Sequence, residues 1–345
     1  MKVAIVGCGA LGSYYGARLC RAGHETHFLL RSDFAAVARD GVQIVGLPGT
    51  EAGFQVRPHC ADRPSLIGPS DLVLIGLKTT ANAALADLLP PLCGPGTAVF
   101  TLQNGLGNEA FLERLVPPSS ILGGLAYVSL NRLAPGVVRC QDPGSVVLGE
   151  WSGPWRDRTR ELTEALNAAG VATTATDHLR LERWRKLVWN IPFNGLGTLG
   201  AEGIVRLLEE PFRPVPTRDG IVPTDQLLAE PRWRELVRDL MLEVLAVARS
   251  GGHNLPDSWA DSELARTRVM GSYKPSTTVD FELGRPLELE AIFGEPFRQA
   301  QASGVPIPWF KRLIQGLRVR AGWSENANFT KKSPEIRVSE DFGKK

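Results

Sequence analysis

Six residues near the start of the chain restrict its fold more than any other feature. Gly7-Cys8-Gly9-Ala10-Leu11-Gly12 has the spacing G-x-G-x-x-G, follows the apolar run 3–6 and opens a segment with helical periodicity. In such a strand–loop–helix unit each glycine has its own duty: Gly7 makes the tight turn, Gly9 lets a pyrophosphate approach the backbone, and Gly12 lets the helix settle on the strand. The phosphates then lie among unpaired N–H groups at the positive end of the helix. The same letters can also be an ordinary turn. Here the strand before, the helix after and the place at the head of the chain agree, so all six residues are expected to hold a dinucleotide.

The rest of the first half repeats that unit. Apolar runs at 26–30, 42–45, 72–77 and 97–101 alternate with helical patterns at 10–22, 32–39, 79–92 and 108–115, which predicts a parallel sheet covered on both faces. Further strand-like runs at 121–130, 137–140 and 146–148, a helix over 156–169 and a run at 171–174 close this layer. From Asp177, expected to cap the next helix, the pattern turns helical at 178–194, 231–249, 288–301 and 308–320. Four prolines (211, 214, 216 and 223) make 210–230 a long surface excursion. The expected fold is an α/β Rossmann-type domain over 1–177 and an all-α domain over 178–325, followed by a loosely held basic tail over 326–345. Composition shifts at the same place, since every tryptophan lies at or beyond Trp151 and every cysteine at or before Cys140.

Charge excludes several classes of function. Lys plus Arg is 39 against 37 Asp plus Glu, and the small excess belongs to the tail, so neither a nucleic acid nor a membrane surface is an expected partner. An odd number of cysteines without a CxxC pair reads as reduced thiols. With no leader pattern and no apolar stretch of bilayer length, the expected location is the cytoplasm. Histidines 24, 27, 59, 178 and 253 have no metal-ligand spacing, and no metal is expected.

Arg31 ends the second apolar run, nineteen residues beyond Gly12. NAD-specific folds place a carboxylate there for the ribose 2′-OH, whereas an arginine suits the 2′-phosphate of NADP. A solvated arginine at a helix start is the plain alternative. NADP+/NADPH is the favoured cofactor.

Lys186, Asn190 and Asn194 are spaced i, i+4, i+8 and share one helix face. A solvated stripe would look the same, but Trp184, Trp189, Ile191 and Phe193 leave little of this helix polar. Burial lowers a lysine's pKa toward that of a working general acid. Pro192 removes a hydrogen bond to the carbonyl of Val188 and is expected to kink the helix, leaving the direction of Asn194 open. Lys78 and Asn104 follow apolar runs and should project from strand ends toward the nucleotide crevice. Taken alone, they read better as a surface lysine and a turn-forming Asn-Gly step.

The glycine loop with Arg31, Gly76-Leu77-Lys78, the segment 102–107 (LQNGLG), the segment 185–194 (RKLVWNIPFN), Lys274-Pro275-Ser276-Thr277 and the segment 284–290 (GRPLELE) together resemble the ketopantoate reductase (2-dehydropantoate 2-reductase) family. The likeness runs from Met1 to about Gly322. It implies a Rossmann domain followed by a helical domain like the C-terminal domain of 6-phosphogluconate dehydrogenase. The implied activity is NADPH-dependent reduction of ketopantoate to pantoate, on the route to pantothenate and coenzyme A. By the resemblance, Lys186 is the catalytic acid and Glu288 its partner. Asn104, Asn190, Asn194 and Ser276 meet the 2-keto acid, and Lys78 and Asn104 meet the cofactor. Without it, Glu288 would read as a solvated helix start. Many relatives carry proline directly after the second asparagine, where this chain has Gly195, and the 210–230 insertion and the tail are also atypical. Two other readings remain: a related hydroxyacid dehydrogenase with another substrate, and an NADP-binding regulatory protein without turnover. A homodimer is compatible with the sequence.

Overall fold

The structure is a computed structural model that describes residues 1–46 and 53–323. The tail expected over 326–345 lies outside the described residues. The chain opens with β1 (Lys2–Val6), α1 (Ala10–Arg21), β2 (Glu25–Leu29) and α2 (Phe34–Asp40), then β3 (Val42–Val45), β4 (Phe54–Val56), β5 (His59–Ala61) and β6 (Leu72–Ile75). The helix expected over 79–92 is broken into a 3-10 segment, Thr79–Ala84, the single turn α3 (Leu85–Leu88) and a 3-10 turn, Pro90–Leu92. Paired prolines at 90 and 91 lack the N–H groups that a continuing helix needs. β7 (Ala98–Thr101) and α4 (Asn108–Leu112) follow.

The three runs expected between 121 and 148 are one antiparallel hairpin, β8 (Ile121–Ala134) with β9 (Val137–Glu150). Register shifts at Tyr127/Ser129, Ser129/Leu130 and Arg132/Ala134 interrupt its two-residue alternation, so its sequence looks fragmented. α5 (Asp157–Ala168) and β10 (Ala172–Ala175) complete the layer. The sheet order is β4-β3-β9-β8-β7-β6-β1-β2-β5, with β10 beside β9. Its central strands are parallel, and the chain leaves β1 for β2 on one side and returns to β6 on the other. That reversal opens a crevice at the carboxyl ends of β1 and β6. Val3 and Ile5 pack with one core, Ala4 and Val6 with the other, so both faces of the sheet are covered.

The second half is helical. α6 (Leu179–Leu208), α7 (Thr224–Ala229), α8 (Pro231–Ser250), α9 (Ser258–Arg268), α10 (Ser276–Glu282), α11 (Glu295–Ser303) and α12 (Pro308–Ala321) enclose a separate apolar core. Three expectations are corrected here. Asp177 does not cap α6; its carboxylate accepts from the Trp155 N–H at 2.9 Å, and His178 is the capping residue. Pro192 does not interrupt α6, whose backbone stays helical until Gly200, at φ 78° and ψ 168°. Val188, Ile191 and Phe193 are fully buried around the proline, and that packing holds the segment in the helix. Finally, 210–230 is not simply a surface excursion. Asp219 returns from it to the break in α6, accepting from the Glu202 N–H at 2.9 Å and from Arg320 at 2.8 Å, and α7 forms at its end. The helix expected over 288–301 begins as a π turn, Glu290–Gly294, before α11. Among the described residues no helix is long and apolar enough to cross a membrane.

Candidate active site

The glycine loop lies at the mouth of the crevice. Gly7 has φ +97°, and a Cβ there would stand 2.3 Å from the Leu77 nitrogen. One on Gly12 would stand 2.2 Å from the Gly7 carbonyl oxygen. These two positions are glycine because backbone meets backbone. Gly9 differs: a Cβ there would meet nothing within 4 Å. It precedes α1, whose first turn has no acidic residue and no side-chain cap. Open space in front of uncapped N–H groups is what a pyrophosphate requires, so the loop fits a dinucleotide. Ala10 and Leu11 form the opening of α1. Cys8 turns away beneath the loop, its Sγ 3.5 Å from the Leu29 oxygen, and burial pushes its thiol far up, so it is a packing group.

Arg31 stands exposed at the end of β2 and makes no side-chain hydrogen bond among the described residues. Asp33, two residues on, would repel a 2′-phosphate if its charge were free. Nη2 of Arg132 on β8 lies 2.6 Å from both oxygens of Asp33, an ion pair that offsets the carboxylate's charge. Among the described residues, the Arg31 guanidinium beside it is left unengaged.

The junction of the two layers is built around Lys186. From α6 its Nζ donates to Asn104 Oδ1 and to the Ala126 carbonyl of β8, each at 2.7 Å. Burial lowers its pKa to about 7; the Arg183 charge pushes the same way, and Glu288 opposes both. Lysine and asparagine, 82 positions apart in sequence, thus meet between the layers. Glu288 does not touch the lysine. Its Oε1 accepts from the Thr79 N–H at 2.9 Å, burial raises its pKa, and no ion pair with Lys186 forms. Its influence on Lys186 acts through space.

The other expected residues distribute unevenly. Asn190 lies one turn beyond Lys186, buried and with no side-chain hydrogen bond to a described residue. Asn194 is spent in part on structure: its Oδ1 accepts from the Thr277 N–H at 2.8 Å, at the start of α10. That bond ties the asparagine stripe to Ser276, which is exposed as the first residue of α10. The Lys78 ammonium is 2.5 Å from Asp280 Oδ2 and 3.3 Å from the Pro286 oxygen, so it bridges sheet and helical layers instead of standing free in the crevice.

Sequence reasoning missed the group that holds Asn104 in place. Arg183, buried one turn before Lys186, donates to Glu109 Oε1 at 3.1 Å and to the Gln103 oxygen at 2.7 Å. Gln103 in turn donates to Asn82 Oδ1 at 2.6 Å and to the Leu77 oxygen at 3.0 Å. Asn108 donates to the Asn104 oxygen at 2.9 Å. Little in the sequence marks it, because Arg180, Glu182 and Arg185 around it make Arg183 look like one more solvated charge.

Comparison with known proteins places the sequence and the fold. The family description "Ketopantoate reductase PanE/ApbA" fits residues 3–153, and its C-terminal counterpart fits residues 221–321. The 2-dehydropantoate 2-reductase of Nostoc sp. is 36% identical over 335 residues, covering 95% of this chain and 98% of its own. Among solved structures, the 2-dehydropantoate 2-reductase of Geobacter metallireducens aligns with a TM-score of 0.83 at 41% identity, covering 92% of this chain and 99% of its own. D-Mandelate dehydrogenase shares the fold at 21% identity, with a TM-score of 0.78 over 92% of this chain and 97% of its own. With relatives aligned almost end to end and a lysine and an asparagine joined between its two layers, the chain belongs to the ketopantoate reductase family.

Proposed function

We propose that this chain reduces 2-dehydropantoate (ketopantoate) to pantoate with NADPH, in the cytoplasm, on the route to pantothenate and coenzyme A. The observation that carries the proposal is Lys186, partly buried between the layers with its pKa drawn to about 7 and its Nζ held at 2.7 Å by Asn104. Bound NADPH supplies the hydride for the keto carbon. The protein must do the rest. The α1 N-terminus and Gly9 receive the pyrophosphate, and Arg31 receives the 2′-phosphate. With a division at 177/178, the first domain holds the nucleotide and the second presents acid and substrate groups.

As the carbonyl becomes an alkoxide, Lys186 Nζ gives a proton to that oxygen. Near neutral pH the ammonium is present and acidic enough to part with it, which suits general acid catalysis. Asn104 and the Ala126 carbonyl fix the direction of Nζ, and Glu288 favours its charged form. The amide of Asn190 has no bond among the described residues and is available to the substrate's polar groups. Asn194 retains its NH₂ for the same purpose after its oxygen has capped α10. Ser276, exposed on the same helix start, offers a hydroxyl to the carboxylate. The test is NADPH oxidation across a panel of 2-keto acids. Ketopantoate should give the highest kcat/KM; a different best substrate would reassign the pocket, and NADPH binding without consumption of any keto acid would remove the enzymatic reading.

A further inference from the structure

The histidines show no metal-ligand spacing along the sequence, yet the fold brings two of them together. β2 and β5 are parallel neighbours at one edge of the sheet, and His27 pairs in register with His59. Their imidazoles stack with centroids 4.7 Å apart and planes 19° from parallel. Glu25, two residues before His27, projects from the same face of β2, and its Oε1 is 2.7 Å from His27 Nε2. One donor atom from each of the three residues falls within 4.8 Å of the others.

We propose that Glu25, His27 and His59 form a transition-metal site, suited to zinc, that clips edge strand β5 onto β2. Two imidazoles and a carboxylate favour zinc, nickel or copper over magnesium or calcium. Tetrahedral zinc needs its donors at about 2.0–2.2 Å, with the fourth position left to water. Glu25 and His59 are exposed and His27 is partly so, so small side-chain rotations close the triangle around an ion without moving either strand. Zinc takes the place of the Glu25–His27 hydrogen bond and binds all three groups at once. The nearest cation by register, Lys2, is engaged elsewhere, donating to the Ile67 and Pro69 oxygens at 2.6 and 3.1 Å. Cys60, next along β5, alternates to the other face of the sheet. Glu25 begins β2 whereas the nucleotide crevice lies beyond its far end, so the ion holds the fold and takes no part in reduction.

The experiment is a titration of the reduced, metal-free full chain with zinc, then with cobalt(II), on wild type and on His24→Ala, His27→Ala and His59→Ala. Wild type and His24→Ala, which removes the imidazole lying 3.4 Å from the Met1 amine, should bind one equivalent with equal affinity. Loss of an outer-shell partner commonly costs metal sites ~10–100-fold, so His27→Ala and His59→Ala should each weaken binding at least about tenfold. Cobalt should give a d–d spectrum without a thiolate charge-transfer band, and zinc should raise the wild-type melting midpoint where magnesium does not. NADPH oxidation should be the same with and without chelator. Tight binding that survives both variants, a thiolate band, or activity lost with the metal would overturn the proposal.

Discussion

Lys186 carries the heaviest demand in the site, and Lys186→Ala tests it at two levels. General acid catalysis is worth about 10²–10⁴-fold, so single-turnover NADPH oxidation should slow by that factor while the Kd for NADPH stays within a few-fold of wild type. The substitution also removes the donor from Asn104 Oδ1 and from the Ala126 carbonyl. A buried acceptor left unpaired costs ~1–3 kcal/mol, so the variant should melt lower, and rates must be compared well below its midpoint. The pH profile separates chemistry from stability. In wild type the rate should fall as pH rises through about 7, because the ammonium is lost there; the variant's profile should be flat across that range. Stability should run the other way. The folded lysine gives up its proton near pH 7, whereas the unfolded one keeps it to about 10.4. Over that window the unfolded state binds more protons, so stability rises with pH as activity falls. A variant that turns over at near wild-type speed, or a wild-type rate with no break near neutrality, would refute the assignment.

Three further outcomes follow from the geometry. Arg31→Ala should weaken NADPH binding by roughly 10–100-fold and leave NADH nearly unchanged, since a charged hydrogen bond is worth roughly 1.5–3 kcal/mol; equal losses in titrations of both cofactors would move the 2′-phosphate elsewhere. Gly9→Ala and Gly12→Ala should part company. The first adds a methyl to open space and should fold normally but bind NADPH roughly tenfold or more weakly, while the second meets the Gly7 oxygen at 2.2 Å and should lose ~1–3 kcal/mol of stability, as thermal melts will show. Arg183→Met leaves Glu109 buried without its cation, at ~3–5 kcal/mol, and should also move the alkaline limb of kcat/KM upward, since a positive neighbour of Lys186 is gone. Arg183→Lys should restore part of both effects, whereas a lower melt with an unmoved limb would make Arg183 structural only.

What could be read from the sequence was what is encoded locally. The glycine loop is six consecutive residues, and the Lys186–Asn190–Asn194 stripe is one helix face, so spacing was enough for both. Arg183 and Glu109 lie 74 positions apart, and nothing near either one announces the other. His27 and His59 are hidden in the same way, since only the crossover from β2 to β5 aligns them. Glu288 was singled out only by the family resemblance of 284–290, and its hydrogen bond to Thr79 depends on how the layers dock. Pro192 and Gly200 show a further limit. The proline carries the stronger local signal for a break, but tertiary packing suppresses it, and Asp219 stabilises the break at a glycine that local rules treat as merely weak.

The docking contacts have a mechanical consequence. Thr79 to Glu288, Lys78 to Asp280, Arg183 to Glu109, Lys186 to Asn104 and the Leu106 N–H to the Ala291 oxygen all cross between the layers, and all lie close to the nucleotide crevice. Gly105 sits so near that same oxygen, 2.2 Å from where a Cβ would be, that the loop bearing Asn104 cannot slide past the π turn at Glu290–Gly294. Lys186 thus makes one of a set of bonds that clamp the layers together, and any separation of the layers at this edge would break its bond to Asn104.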